Sequence, residues 1–389
     1  MKKLIKNLGA AALGLVLILS SCEKITETTP VQTNCSVENK RHPKAAKYQQ
    51  IADKFLKAGT VGVSITIRTP EGVWSSASGK ADLKNNIDLS PCHTLRIGSI
   101  SKTFASATIL KLQEEGKLNI NDLASKYLPE EFQGIANLDK ATVRNLLQHT
   151  SGVPEYLGIK GILDLTNGTY KKRSAAESMR IVLKSKAQFE VGKDWSYANS
   201  NFLLLALIIE NVAKKPAYEV VTEKIIKPLG LKNTLASTAI PSNLSRGYYD
   251  FMNNGLMKDQ TDIDNNAVGG QDMLDGGMIS NPNDLALFME ALNTSKFLSE
   301  KSLIEMRKLS GFTGKAPAGF EFIYDYGLGL FLIDVDGKKG FGHGGNVQCF
   351  NGLAYYFPEQ KISISILVNS YSKKIADVLY DVETLKMVL

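Results

Sequence analysis

The chain has 389 residues, of which 43% are hydrophobic and 22% are charged, and its formal net charge at pH 7 is +7. This length and composition are those of a soluble globular protein with a large core. The positive surplus is mild, and no run of arginine and lysine interleaved with aromatic residues indicates nucleic-acid binding.

The N-terminus has the pattern of a bacterial export signal. Three lysines among the first six residues precede an apolar stretch at 8–19, which is too short to cross a membrane as an ordinary helix. The segment 19–22, Leu-Ser-Ser-Cys, then resembles a lipobox, in which the cysteine is lipidated after cleavage. We therefore predict a signal peptide at 1–21, a lipid on Cys22 and a location in the bacterial cell envelope. The alternative is an ordinary secretory signal in which Cys22 is incidental.

Residues 22–42 are polar, which predicts a flexible tether between the lipid and a single domain at 43–389. Three further cysteines cannot all pair within the chain. A disulfide between Cys35 and Cys92 stays open, and Cys349 is expected to be a small buried residue. The histidines are scattered, with no cluster of ligands at metal-binding spacing, so we predict no metal and no cofactor.

The pattern of apolar residues predicts strands near both ends of the chain and helices between them. The expected fold class is α/β (α+β): one antiparallel sheet assembled from distant segments, flanked by helices, with an inserted all-helical lobe. The predicted elements, in chain order, are a helix at 43–58, strands at 62–69, 73–77 and 94–97, a helix at 99–115, a mainly helical region at 104–275 that includes a helix at 202–212, a helix at 282–292, strands at 326–335, 339–342, 353–357 and 362–368, and a helix at 373–387.

The spacing of Ser99 and Lys102 indicates a catalytic pair. Three residues apart at the start of a helix, they lie on one helix face. A serine hydroxyl is a weak nucleophile until a neighbouring base takes its proton, and a lysine kept neutral by its surroundings can be that base. Free backbone N–H groups in the first helical turn can stabilise an oxyanion. The alternative is a chance occurrence of Ser-x-x-Lys in a long chain.

Two further motifs follow in a fixed order: Tyr-Ala-Asn at 197–199, just before an apolar helix, and His-Gly-Gly at 343–345, just before strand-like sequence. With Ser-x-x-Lys they form a pattern that resembles the penicillin-recognising serine hydrolases. The resembling branch holds class C β-lactamases, secreted D-alanyl-D-alanine carboxypeptidases and related esterases. The segments 146–152, 228–234 and 276–286 also resemble motifs of this family, and the resemblance extends from about Tyr48 to the C-terminus.

The resemblance implies a role for each matching residue. Ser99 would be the nucleophile and Lys102 the base for acylation. Tyr197 would shuttle a proton to the leaving group and later from water, which requires that nearby cations, Lys102 and His343, lower its pKa. Asn199 would hold Lys102 and the substrate amide by hydrogen bonds.

The third motif departs from the lysine-threonine-glycine of class C β-lactamases. His343 would be a weaker, pH-dependent cation facing the substrate. Gly344 replaces a residue whose hydroxyl binds the substrate carboxylate, which disfavours β-lactamase activity. Gly344 and Gly345 would let a substrate backbone approach the strand edge. The N–H of Asn346 would join that of Ser99 in an oxyanion hole.

We therefore expect a lipid-anchored serine hydrolase that acts through an acyl-serine on peptide-like amides or esters, either as a D-Ala-D-Ala carboxypeptidase-like enzyme or as an esterase. A β-lactamase is an alternative. A catalytically silent cell-envelope binding protein of the same fold is an alternative of another class. The expected partners are a small-molecule or peptide substrate, with peptidoglycan fragments among the candidates, and a membrane reached through the lipid; no nucleic acid is expected.

Overall fold

The computed structural model of the protein describes residues 29–33, 35, 42–158, 161, 170–311 and 321–389. The predicted signal peptide and Cys22 lie outside the described residues, as does most of the predicted tether. Within the described part, no helix has both the length and the apolar character needed to cross a bilayer.

An antiparallel sheet forms the centre of the fold, as predicted. Its eight strands lie in the order β3-β2-β1-β12-β11-β10-β9-β8, so the first hairpin of the chain pairs with strands from its C-terminal end. Further short strands form two small sheets beside it. The strands are β1 Gly62–Thr69, β2 Gly72–Asp82, β3 Ile87–Asp88, β4 Leu95–Arg96, β5 Tyr248–Tyr249, β6 Lys258–Asp259, β7 Ile279–Ser280, β8 Ile323–Tyr326, β9 Phe331–Val335, β10 Lys338–Asn346, β11 Asn351–Phe357, β12 Ile362–Val368 and β13 Ser370–Tyr371.

Helices cover both faces of the sheet, and a helical lobe packs beside it. The described helices are α1 Ala45–Lys57, α2 Ser101–Glu114, α3 Val143–Leu147, α4 Ala175–Arg180, α5 Asn199–Ala213, α6 Ala217–Val221, α7 Lys227–Leu229, α8 Thr261–Val268, α9 Pro282–Ala291, α10 Glu300–Met306, α11 Lys373–Leu379 and α12 Val382–Lys386. Because α1 and α11 cover one face while α9 covers the other, every residue of the central strands β11 and β12 is buried.

The two longest helices of the lobe, α2 and α5, are buried on nearly all sides, as their continuous apolar sequences predict. The start of α9 also agrees with its sequence: the Asn281 side chain accepts a hydrogen bond from the Asp284 N–H, and Pro282 takes the first helical position.

Two predicted elements are interrupted in the structure. The strand predicted at 326–335 contains only Tyr326, the last residue of β8, followed by a turn and then by β9. Gly329 in this turn has a φ of +69° and accepts a hydrogen bond from the Thr103 hydroxyl of α2. The helix predicted at 373–387 is likewise split, because Asp381 caps the start of α12. In both places a contact or cap ends the regular element.

The Cys35–Cys92 disulfide, which the sequence left open, is present, with a Cα–Cα distance of 5.5 Å. It ties the N-terminal segment to the loop before β4. Cys349 is buried and unpaired, as expected.

Two glycines allow the end of β10 to lie directly against the turn that carries Ser99. Gly98 has a φ of +50°, and a Cβ atom added there would lie 2.6 Å from the backbone N of Asn346. A Cβ atom on Gly345 would lie 1.9 Å from the carbonyl oxygen of Ile97. The close approach of these two backbones therefore depends on the absence of side chains.

Gly345→Ala should force β10 away from the Ser99 turn. Overpacking against backbone atoms typically costs about 1–3 kcal/mol, and the free energy of unfolding should fall by at least that amount. Gly344→Ala is the matched control, because its Cβ atom would lie 3.4 Å from Tyr380 Cε1, an ordinary contact. Denaturant unfolding of both variants measures the difference. Equal stability of the two variants would contradict this account of the strand.

Candidate active site

Ser99 lies in a short 3-10 turn, Gly98–Ile100, that leads directly into α2. The next residue, Ser101, fixes this turn: its hydroxyl donates to the Gly98 carbonyl at 2.7 Å and accepts from the Met278 N–H at 3.2 Å. The nucleophile predicted from the sequence therefore sits at the start of a buried helix, held from both sides.

Lys102 connects three distant parts of the chain. Its side chain is 0% exposed, and its Nζ donates to Ser99 Oγ at 3.0 Å, to Asn199 Oδ1 at 2.9 Å and to the carbonyl oxygen of Asp275 at 2.5 Å. Burial lowers the pKa of Lys102 to about 8, although the charges of Asp275 and Glu155 act to raise it. A neutral amine beside the serine hydroxyl is therefore accessible near physiological pH, as a general base requires.

Tyr197 is half-buried, and its hydroxyl hydrogen-bonds to Ser99. The Lys102 ammonium lies 4.9 Å from the centre of its ring. The expectation that cations lower its pKa is wrong: burial raises the pKa of Tyr197, and the charges of Asp275 and Glu155 raise it further. A neutral phenol is a hydrogen-bond donor, so the raised pKa suits Tyr197 to donate a proton rather than to accept one.

Asn199 is the first residue of α5, and its side chain holds Lys102 as described above. Its backbone N–H donates to Glu155 Oε2 at 2.5 Å. Glu155 also accepts from the backbone N–H of Leu157 at 3.0 Å and of Ser200 at 3.4 Å. Glu155 thus acts as a side-chain cap for α5 and fixes the position of Asn199.

His149 holds the segment that carries Tyr197 and Asn199. Its Nδ1 accepts from the Ala198 N–H at 3.2 Å and from Asn201 Nδ2 at 3.0 Å. Its ring centre lies 4.3 Å from that of Tyr197. These contacts position Tyr197 relative to Ser99.

His343 does not act as the expected cation. It is 1% exposed, with Nδ1 against the Gly344 carbonyl at 2.5 Å and Nε2 against the Tyr326 hydroxyl at 3.2 Å. Because a carbonyl only accepts, Nδ1 carries the proton and Nε2 accepts from Tyr326. Burial, together with the charge of Lys102, lowers the pKa of His343 to about 3. The imidazole is therefore neutral at physiological pH and cannot present a titrating positive charge to a substrate.

The rest of the third motif lies along the edge of the site. Gly344 faces the ring of Tyr380, as the 3.4 Å distance of an added Cβ atom indicates. Asn346 is exposed and lines the cavity beside Ser99, and its side-chain amide donates to Asn351 Oδ1. The assignment of the Ser99 and Asn346 N–H groups to an oxyanion hole stays a prediction.

A cavity of about 230 Å³ opens beside Ser99. Its described lining contains two buried carboxylates, Asp264 and Asp275, and no lysine or arginine. Sequence reasoning missed both aspartates and Glu155, and it interpreted the glycines that follow Asp275 only as a tight turn. Within the described residues, no group of His, Cys, Asp and Glu side chains is arranged to hold a metal ion.

Turnover should rise with pH as Lys102 loses its proton. With the neutral amine as the predicted base, kcat/KM on a neutral ester should climb about tenfold per pH unit below the pKa of about 8 and level off above it. Lys102→Arg keeps the charge but cannot act as a base, so it should lose activity at every pH. A pH–rate profile of both proteins measures this. A rise in kcat/KM with its midpoint near pH 6.5, the ordinary pKa of histidine, would instead indicate a titrating imidazole.

Comparison with known proteins agrees with this arrangement. A protein-family model described as "Beta-lactamase" matches residues 48–383. Protein flp of Staphylococcus aureus (strain MRSA252) is 26% identical over 329 residues, which cover 83% of this chain and 62% of that protein. The D-aminopeptidase of Brucella anthropi is 26% identical over 315 residues, covering 80% of this chain and 56% of that protein. The chain thus spans less than two thirds of the length of these curated relatives.

Among solved structures, the chain is similar to a D-stereospecific amidohydrolase from Streptomyces sp. The TM-score is 0.72 and the identity 27%, and the match covers 87% of this chain and 98% of that one. The fold therefore agrees over nearly all of that solved domain.

Proposed function

The chain belongs to the β-lactamase family of serine hydrolases, and from that premise we propose that it hydrolyses small peptide-like amides and esters through an acyl-Ser99 intermediate. The observation that carries the proposal is the buried Lys102 amine, 3.0 Å from Ser99 Oγ. A base at hydrogen-bond distance is what converts a serine hydroxyl into a nucleophile.

In acylation, neutral Lys102 takes the Ser99 proton while Oγ bonds to the substrate carbonyl carbon. The Tyr197 hydroxyl then protonates the leaving nitrogen or oxygen as its bond to that carbon breaks, and the proton on Lys102 restores the phenol. In deacylation, water attacks the ester carbon after giving a proton to Lys102. The bond to Oγ breaks, and Ser99 recovers its proton.

The charges around the site favour amides and esters over substrates that carry a carboxylate. A carboxylate subsite depends on charge-assisted hydrogen bonds. Here His343 is neutral, Gly344 offers no hydroxyl, and the described lining of the cavity contains no lysine or arginine. We therefore put carboxypeptidase and β-lactamase activity behind amidase and esterase activity. The similarity to a D-aminopeptidase and a D-stereospecific amidohydrolase supports amides of D-amino acids as first candidates.

We further propose that the protein is held at the bacterial cell envelope by a lipid on Cys22. The lipobox-like segment 19–22 after an apolar stretch supports this location. The Cys35–Cys92 disulfide supports an oxidising compartment, since disulfides persist mainly in exported proteins.

Ser99→Ala should abolish covalent labelling by a fluorophosphonate probe and lower turnover of amino-acid amides and esters by up to roughly 10⁶-fold. Tyr197→Phe, which removes only the hydroxyl, should fold normally but label more slowly.

The wild-type protein should hydrolyse alanine amides and short acyl esters faster than nitrocefin. Undiminished turnover in Ser99→Ala would refute the acyl-serine mechanism, and efficient nitrocefin hydrolysis would reverse the substrate order.

Cys22→Ser should block lipidation and leave the protein unprocessed or mislocalised. Membrane fractionation and mass spectrometry of the N-terminal peptide distinguish the outcomes. Cys35→Ser, which changes a cysteine outside the lipobox, is the matched control and should keep the lipid. A mature, unmodified N-terminus at another residue of the wild-type protein would rule out the anchor.

A further inference from the structure

We propose that Asp275, with Asp264 in the lining of the same cavity, forms a subsite for the α-ammonium group of the substrate's acyl residue. This inference rests on the proposed function and adds a substrate class to it: amino-acid amides and esters with a free amino terminus. Neither aspartate matches a catalytic motif of the sequence.

Asp275 is a buried carboxylate with an incomplete set of partners. Its side chain is 4% exposed, Oδ2 accepts from the Tyr156 hydroxyl at 2.9 Å, and Oδ1 has no well-aligned hydrogen-bond partner among the described residues. The backbone N–H groups of Asp275 and Gly276 give the carboxylate only partial compensation for its burial. A buried charge is costly unless it is paired and hydrogen-bonded. Because Asp275 lines the cavity beside Ser99, a cationic donor that enters with the substrate can supply what is missing.

Asp264 repeats this arrangement from α8. It is 0% exposed, Oδ2 accepts from the Cys349 N–H at 2.8 Å, and within the part of the chain that the structure describes Oδ1 has no hydrogen-bond partner. It lines the same cavity. The charge of the nearby Arg96 stabilises it in part, and that guanidinium donates to Asn265 and to the Gly277 carbonyl. Asp264 therefore adds negative potential, while Asp275 is the direct contact.

The position of Asp275 fits the α-amino group in particular. The Lys102 amine donates to Ser99 Oγ at 3.0 Å and to the backbone carbonyl oxygen of Asp275 at 2.5 Å. The backbone of Asp275 therefore lies within one hydrogen bond of the base that contacts Ser99. In an amino-acid amide the ammonium is attached to the carbon next to the carbonyl that Ser99 attacks. A cavity of about 230 Å³ is smaller than a typical drug-sized pocket and suits a single residue.

Such a cation also fits the proposed catalytic cycle, because burial raises the pKa of Asp275 and a nearby positive charge keeps its carboxylate ionised. Lys102 in its charged form balances Asp275, but it must be neutral to accept the Ser99 proton. The Asp275 carboxylate then loses its nearest positive charge, and a substrate ammonium replaces it. The same ammonium disfavours the protonated form of Lys102, since like charges repel. Glu155 is a poorer candidate because the backbone N–H groups of Leu157 and of Asn199 and Ser200 at the start of α5 already bind its carboxylate.

The test compares alanine p-nitroanilide, which carries a free ammonium group, with its N-acetylated form, each in D and L configuration. The ratio of the two kcat/KM values is measured for the full-length wild type, Asp275→Asn and Asp88→Asn. Asp275→Asn keeps the shape and the acceptor for Tyr156 but removes the charge. Asp88→Asn makes the same change in net charge on the exposed strand β3, away from the cavity.

The wild type and Asp88→Asn should prefer the free-ammonium substrate by at least about tenfold, and Asp275→Asn should lose roughly ten- to hundredfold of that preference. Labelling of Ser99 by a fluorophosphonate checks that the variant site is intact. If Asp275→Asn does not fold, Asp264→Asn should still reduce the ratio, and alaninamide should protect wild-type Ser99 from labelling at lower concentration than N-acetylalaninamide.

The outcomes separate this inference from the proposed function. Hydrolysis of both substrates with no preference for the free ammonium, or an unchanged ratio in an active Asp275→Asn, would overturn the subsite and leave the acyl-serine mechanism standing. A wild type that neither labels nor hydrolyses any of the substrates would instead overturn the proposed function and the subsite with it.

Discussion

The buried amine of Lys102 is the interaction on which the rest of the site depends. Its three hydrogen bonds join the turn before α2, the start of α5 and the loop at Asp275. These segments lie far apart in sequence, and a buried ammonium is stable only when all its donors are used. The lysine thus couples the sheet side of the fold to the helical lobe. A displacement of either lobe that breaks one of these bonds also changes the pKa of this amine.

Much of the site could be predicted from the sequence because its spacing is local. Ser99 and Lys102 are three residues apart on one helical turn, so their contact follows once the helix forms. Asp275 could not be found in this way, because its importance comes from Tyr156 and the cavity, which reach it only in the folded chain. The neutrality of His343 was equally hidden, since it results from burial against Tyr326.

In the fold, too, some elements could be predicted from local sequence, and others depend on contacts between distant parts of the chain. The hairpin of β1 and β2 and the buried strand β12 were predictable, because alternating or continuous apolar residues between turn signals define them. The break between β8 and β9 was not, because it depends on a contact with α2. At Gly329 an added Cβ atom would lie 1.9 Å from the Ser106 hydroxyl, so a residue more than two hundred positions away sets the end of the strand.

Burial and the nearby acids shift the pKa of Lys102 in opposite directions. Burial lowers the pKa of the lysine, which increases the neutral fraction, while the charges of Asp275 and Glu155 raise it and keep the amine basic. An effective general base needs both properties, with a pKa near the working pH. A site lined by carboxylates would bind anionic substrates poorly, so in the function we propose the charge of Asp275 both keeps Lys102 basic and disfavours anionic substrates. Basicity and specificity are then set by the same side chains, and a variant that changes one should change the other.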